Sequence, residues 1–148
     1  MVLLALAYSV NGLSKSMGTA NFIISVTEGF LTPHLLPAVI FLVAAVMAFA
    51  TGSSWGTFAI CIPIAVPMAY SFTGGQLGTL VYAAVGAVVS GGLFGDHCSP
   101  VSDTTVLSSL GAACDHIDHV RTQLPYALLA AAVSMILWVV VAMVGGAA

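Results

Sequence analysis

Residues 122–146 read TQLPYALLAAAVSMILWVVVAMVGG, and the chain holds no Asp, Glu, Lys or Arg beyond Arg121. About 20 such residues span a hydrocarbon core roughly 30 Å thick as an α-helix. The spacing predicts a full-length membrane helix over 122–145, with Pro125 near its start, where a missing amide costs little. Unpaired peptide groups are too costly in hydrocarbon to be tolerated there, so long apolar runs must be helical, and the alternation of an outer-membrane barrel is absent. The whole chain agrees. It is 60% hydrophobic and 5% charged, with a mean hydropathy of +1.13, whereas soluble domains carry roughly 25% charged residues. A soluble globule is excluded on that ground, and the fold class expected is an all-α, polytopic integral membrane protein with the lipid bilayer as its solvent.

Working outward, with Gly, Pro and polar clusters as punctuation, further helices are predicted at about 2–14, 35–50, 55–70, 76–94 and 104–113, with a shorter segment over 19–30 that contains Glu28. At about 20 residues per crossing, the chain makes roughly five crossings, few for a solute carrier. Met1 opens onto VLLALAYSV without a basic leader or cleavage site, which argues against a signal peptide. The expectation is one transmembrane transporter domain over 1–148, part of a larger carrier. Cys61, Cys98 and Cys114 are an odd number, which argues against a disulfide framework. The net charge of -3 does not suit a nucleic-acid partner.

Two interruptions stand out. TGSSW separates 35–50 from 55–70, whose arms of about 16 residues are marginal for a crossing; a re-entrant hairpin and two tilted spans both fit. GDHCSPVSDTT separates 76–94 from 104–113, with Gly and Pro to end a helix and Ser and Thr to restart one. Paired interrupted helices point to a transporter binding site, because half-helix ends offer carbonyls to cations and amides to anions. The plainer alternative is close packing at Gly and Ser between helices.

The polar chemistry is concentrated beside the second break. Residues 95–121 hold four of the five acidic residues, three of the four histidines and two of the three cysteines, while residues 29–95 contain no Asp, Glu, Lys or Arg. Asp96 and Asp103 flank Cys98, Ser99 and Pro100. A carboxylate at membrane depth is costly and normally functional. Burial favours its protonated form and a bound cation its ionised form, so proton and cation compete for the same oxygens. That competition is the minimum chemistry of a cation/proton antiporter. Sodium takes hard oxygen ligands, and Ser99, Ser102, Thr104 and Thr105 supply them, joined by Thr51, Ser53, Ser54 and Thr57 if the other break lies alongside. The candidate Na+ carboxylates are Asp96 and Asp103; Asp103 also reads as the N-cap of a helix starting at Thr104.

Asp115, His116, Asp118, His119 and Arg121 form a second cluster, DHIDHVR. On a helix, Asp115 and His119 are four apart and Asp118 and Arg121 three apart, so two opposite-charge pairs are expected. The cluster reads as an interfacial cap or as a gate or proton path that uses histidines. A zinc site of His97, Cys98, Cys114, His116 and His119 has the right ligand types but no recognised spacing. Glu28 is a candidate pathway carboxylate and His34 an interface residue. Lys15 and Arg121 weakly place both flanking ends in the cytoplasm.

The stretch GLFGDHCSPVSDTTVLSSLGAACDHIDHVRTQLPYAL resembles the NhaC family of bacterial Na+/H+ antiporters, within the ion-transporter superfamily. ATGSSWGTFAICIPIAVPMA and the early AYSV and MGTA fit the same pattern, and together they resemble the carboxyl-terminal part of a family member. The resemblance implies a multi-pass bacterial inner-membrane carrier, a secondary transporter rather than an enzyme, that moves Na+ against H+ without a cofactor. It implies that some members exchange organic acids instead, and that amino-terminal helices or another copy of the chain complete the site. Two rival expectations stand beside it: an H+- or Na+-coupled exchanger of small carboxylates or amino acids on the same scaffold, and an inactive structural fragment.

Overall fold

A computed structural model of the chain describes residues 32–145 and, before them, residues 9, 12, 13, 16–18, 22 and 25. Most of the stretch expected as helices over 2–14 and 19–30, Lys15 and Glu28 included, lies outside the described residues. All regular structure from residue 32 onward is helical: α1 Leu36–Thr51, α2 Ser54–Phe72, α3 Thr79–Cys98, α4 Asp103–Gly111 and α5 His116–Gly145. Among the described residues, α2, α3 and α5 are long and apolar enough to cross a membrane, and α1 is shorter. The chain is an all-α membrane protein.

Local chemistry accounts for the boundaries. Pro37 lies in the first turn of α1, and Gly52, in the left-handed conformation (φ 64°), ends that helix by donating its amide to the Ala48 carbonyl. Ser53 then caps α2 by accepting from the Gly56 amide. The first break is therefore only residues 52 and 53. Met47 on α1 meets Cys61 on α2 at 3.6 Å between sulfurs, so the helices fold back side by side. Pro63 and Pro67 sit inside α2 without ending it, as neighbouring helices allow in membranes.

Three boundaries differ from expectation. The helix predicted to stop at 94 continues through Asp96 and His97 to Cys98. Gly95 reads as a terminator, but it and Gly91 are packing positions: a Cβ at Gly91 would run into the Phe41 carbonyl, and one at Gly95 into the Ala45 carbonyl. Small residues let membrane helices approach to backbone contact. The helix predicted over 122–145 begins six residues earlier, at His116, which places Pro125 in its interior. Thirty residues give a helix of about 45 Å against a core of roughly 30 Å, so polar residues mark the edge of the bilayer and not the end of the helix. The helix expected over 104–113 runs from Asp103 to Gly111.

α3 is the centre of the bundle. Its largest contact is with α1, and it also packs on α2 and α5. Phe58 of α2 lies over Gly92, and Trp138 of α5 lies over Gly86 while donating to Ser90 Oγ at 3.2 Å. Leu36, Phe41, Ala44, Ala65, Ala69, Ala84, Ala87 and Val88 fill the core. Only Ala142 of α5 is buried, so that helix turns most of its apolar surface outward. His34 meets the Ala142 carbonyl at 3.4 Å, which ties the start of α1 to the end of α5.

Leucine at Gly95 must push α1 away from α3, and overpacking of this kind costs about 1–3 kcal/mol. Gly95→Leu is expected to lower the melting temperature in detergent clearly, whereas Gly111→Ala, whose added carbon meets nothing within 4 Å, is expected to leave it unchanged or slightly raised.

Candidate functional site

α1 and α3 both end where α2 and α4 begin, and the two breaks touch. A Cβ at Gly52 would lie 2.8 Å from the Val101 carbonyl carbon and oxygen and 2.9 Å from the Ser102 amide nitrogen. Backbone rests on backbone there, and only glycine fits. Ser99 strengthens the junction: its hydroxyl, fully buried, donates to the Phe49 carbonyl at 2.7 Å and accepts from the Val101 amide at 3.3 Å.

Asp96 occupies the last turn of α3 and is 7% exposed. Ser102 Oγ donates to its Oδ1 at 2.7 Å. Ser102 is also the N-cap of α4, accepting from the Thr104 amide at 3.2 Å, and its Oγ lies 2.7 Å from Thr104 Oγ1. A hydroxyl has one proton, and Ser102 spends it on Asp96. Thr104 must then be the donor in its contact with Ser102, giving the ordered chain Thr104 to Ser102 to Asp96. Thr105, also buried, donates to the His97 carbonyl at 3.0 Å. The cap expected at Asp103 is thus provided by Ser102. Asp103 itself lies in the first turn of α4, exposed, and makes no side-chain hydrogen bond among the described residues.

In the other break, Thr51 donates to the Met47 carbonyl at 2.8 Å and Thr57 to the Ser53 carbonyl at 2.9 Å. Ser54 and Thr57 are buried, Thr51 is exposed and Ser53 is half-buried. The structure brings Phe49 and Gly52 against residues 99–102, shows no contact between α2 and α4, and ties Asp96, but not Asp103, into the hydroxyl network.

The second cluster divides. Asp115 Oδ1 accepts from the Ile117 amide at 2.9 Å and the Asp118 amide at 3.2 Å, the arrangement that satisfies orphan amides at a helix start. The expected pairs Asp115 with His119 and Asp118 with Arg121 are not formed, and no ion pair exists among the described residues. Asp115 is committed to amides, and Arg121 is exposed to solvent. His119 Nδ1 lies 3.9 Å from Cys114 Sγ instead. His116 reaches back to the break, with Nε2 2.7 Å from the Pro100 carbonyl oxygen. The zinc alternative fails among the described residues, where no three His, Cys, Asp or Glu side chains come together as a metal site. Cys98 is buried with its thiol on the Phe94 carbonyl at 3.0 Å.

Sequence reasoning passed over Gly52 as a contact, the Phe49 and Pro100 carbonyls, and Ser109. Backbone carbonyls carry no residue signal. Ser109 did carry one: Ser102, Thr105 and Ser109 are three and four apart, a helical spacing of hydroxyls, and all three are buried.

Comparison with known proteins fits this geometry. Residues 1–143 match the pattern described as the Na+/H+ antiporter family. The chain belongs to that family. An uncharacterized protein of Haemophilus influenzae is 45% identical over 95% of the chain and 26% of its own length. The malate-2H(+)/Na(+)-lactate antiporter of Bacillus subtilis is 34% identical over 79% of the chain and 24% of its own length, and the arginine/ornithine antiporter of Halobacterium salinarum is 36% identical over 83% and 24%. This antiporter-family chain spans about a quarter of the length of the curated relatives it matches. No solved structure matches it significantly.

Ser102→Ala deprives Asp96 of its donor and α4 of its cap. A lost cap costs about 1 kcal/mol and an unsatisfied buried acceptor about 1–3 kcal/mol. The expected result is a fall in melting temperature in detergent, largely recovered by Ser102→Thr, which keeps the hydroxyl.

Proposed function

We propose that this chain contributes the ion-exchange centre of a secondary Na+/H+ antiporter of the bacterial inner membrane, with Asp96 as the group that carries a proton in one half of the cycle and Na+ in the other. The observation behind this reading is a buried carboxylate with no cationic partner among the described residues, at the meeting of two helix C-termini. A charge cut off from water needs a compensating partner, and among residues 32–145 Arg121 is the sole Lys or Arg. A transported cation or a proton fills that role.

The helix ends favour the same cargo. α1 and α3 present their C-terminal, partially negative ends at the junction, while Ser53 and Ser102 cap amides at the starts of α2 and α4. Na+ displaces the Ser102 proton from Asp96 by rotation of the hydroxyl, which turns an oxygen lone pair toward the ion. Ser99, Thr104 and Thr105 complete the oxygen shell, with Thr51, Ser53, Ser54 and Thr57 across the junction and Asp103 at its exposed rim. A proton arriving at Asp96 reverses the change. The rest of the shell comes from helices outside this chain, or from another copy of it, and Asp115, His116, Asp118, His119 and Arg121 form its approach.

A second reading, an exchanger of small carboxylates or amino acids, is favoured by the Bacillus relative, a malate-2H(+)/Na(+)-lactate antiporter, and the Halobacterium relative, an arginine/ornithine antiporter. An amine-bearing substrate suits Asp96, while an anionic one needs cations that residues 32–115 lack.

The test is the Na+-dependent pH change in proteoliposomes of the assembled carrier. Asp96→Asn alone is expected to abolish it, and the Asp96→Asn/Asp103→Asn double variant to match the single one. An unchanged signal in the double variant refutes the role of both carboxylates, and substrate-dependent proton movement indifferent to Na+ selects the second reading.

A further inference from the structure

Gln123, on α5, carries a buried polar atom without a partner: its Oε1 accepts no hydrogen bond among the described residues, and its amide nitrogen donates none there either. Buried polar groups are nearly always paired, since an enclosed acceptor forfeits its hydration. Within an apolar helix of a membrane protein, such a group marks a binding site or a pathway by default. Neither the packing of the bundle nor the exchange at Asp96 makes use of Gln123.

Contacts on either side fix its place along α5. The helix turns a stripe that includes His116, Val120, Gln123, Ala127 and Ala131 toward the bundle, at spacings of three and four residues, and all five are half-buried. His116 opens the stripe at the second break, with Nε2 2.7 Å from the Pro100 carbonyl oxygen and Nδ1 3.3 Å from Ser109 Oγ. Gln123 follows two turns later, about 10 Å along the helix. Farther on, Trp138 lies over Gly86 and Gly145 over Thr79, so α5 and α3 run antiparallel. Gln123 is 15 residues from Trp138, about 22 Å, and the end of α3 at Cys98 is 12 residues from Gly86, about 18 Å. Both measures put Gln123 level with the second break, just past Asp96.

A carbonyl oxygen offers only lone pairs, so it takes a proton donor or a cation. Each hydroxyl from Ser99 to Ser109 already commits its proton within the chain, among them Ser99 to the Phe49 carbonyl, Ser102 to Asp96 and Ser109 to the Val106 carbonyl. The oxygen is enclosed by this chain, so a further helix laid against the outside of α5 does not reach it. We propose that Gln123 is a specificity-determining ligand, whose amide oxygen binds Na+ admitted at the second break, on its α5 side. This inference rests on the reading of Asp96 as the exchange group. Na+ takes hard oxygens, and an uncharged amide supplies one without supplying a second site for a proton. Asp96 binds either cation, and Gln123 tips the competition toward Na+.

The experiment follows the assembled carrier, native and with Gln123→Met, Gln123→Glu or Asp96→Asn, by melting temperature in detergent and by Na+-dependent proton movement in proteoliposomes. Na+ is titrated against choline at constant ionic strength. In choline alone, Gln123→Met is expected to melt at the native temperature or slightly above it, because no hydrogen bond is lost and an unpaired acceptor is removed. The Na+ concentration for half-maximal stabilisation and half-maximal transport is expected to rise about tenfold, the worth of one contact to a charged group, with the maximal rate retained. Gln123→Glu keeps an oxygen and stays nearer to the native value. A native Na+ dependence in Gln123→Met overturns the proposal, and so does a lower melting temperature in choline with Na+ dependence unmoved, the mark of a hydrogen bond to another part of the carrier. Asp96→Asn separates the two readings: if it keeps native exchange, the Asp96 reading fails, and the shift in Gln123→Met still decides for Gln123. A native carrier indifferent to Na+ in both assays overturns both.

Discussion

The contact on which the rest depends is backbone against backbone: Gly52 at the end of α1 against Val101 and Ser102 between α3 and α4. Any side chain at Gly52 forces the two breaks apart, and its left-handed φ of 64° independently favours glycine. The approach is made possible lower in the bundle, where Gly91 and Gly95 let α3 press on the carbonyl face of α1. In lipid there is little hydrophobic gain from helix association, so such close van der Waals packing and a few interhelical hydrogen bonds carry the assembly. Ser99 to the Phe49 carbonyl and Trp138 to Ser90 are two of them.

Convergence of helix ends creates a need for hydrogen-bond partners, since each end leaves unpaired amides or carbonyls. The chain meets that need with hydroxyls and not with charges. Ser53 and Ser102 satisfy amides, while Ser99, Thr57 and Thr105 satisfy carbonyls. Hydroxyls can turn from donor to acceptor by rotation about one bond, which a fixed ion pair cannot do. A carboxylate in such surroundings is solvated yet not locked to a partner, a condition that suits the exchange role proposed for Asp96.

Much of the fold was legible in the residues. Hydropathy and the requirement for internally paired backbone made every long run a helix, and Gly, Pro and Ser clusters located both breaks. The misplacements share a cause: soluble-protein punctuation was applied to membrane helices. Gly95 reads as a stop because glycine is a poor helix former in water, yet in this bundle it is a contact surface. DHIDHVR reads as preceding the last helix because polarity changes there, although α5 already begins at His116. Asp103 and Ser102 are both good caps, and the backbone angles of Ser102 (φ -76°, ψ 136°) with its hydrogen bond to Thr104 settle the choice.

What the sequence determined by itself is the solvent, the helical class and the concentration of polar chemistry between Asp96 and Arg121, since these follow from composition and the local period of the chain. Only the tertiary structure decided that the two breaks lie together, that Ser102 is the hydroxyl on Asp96, and that His116 returns to Pro100. Those partners are 6 and 16 residues apart for the side chains, and about 50 residues apart for the junction of Gly52 with Val101 and Ser102. Bringing them within hydrogen-bond range depends on how closely α1 and α3 pack and on where each helix ends, and neither is encoded in residue type alone.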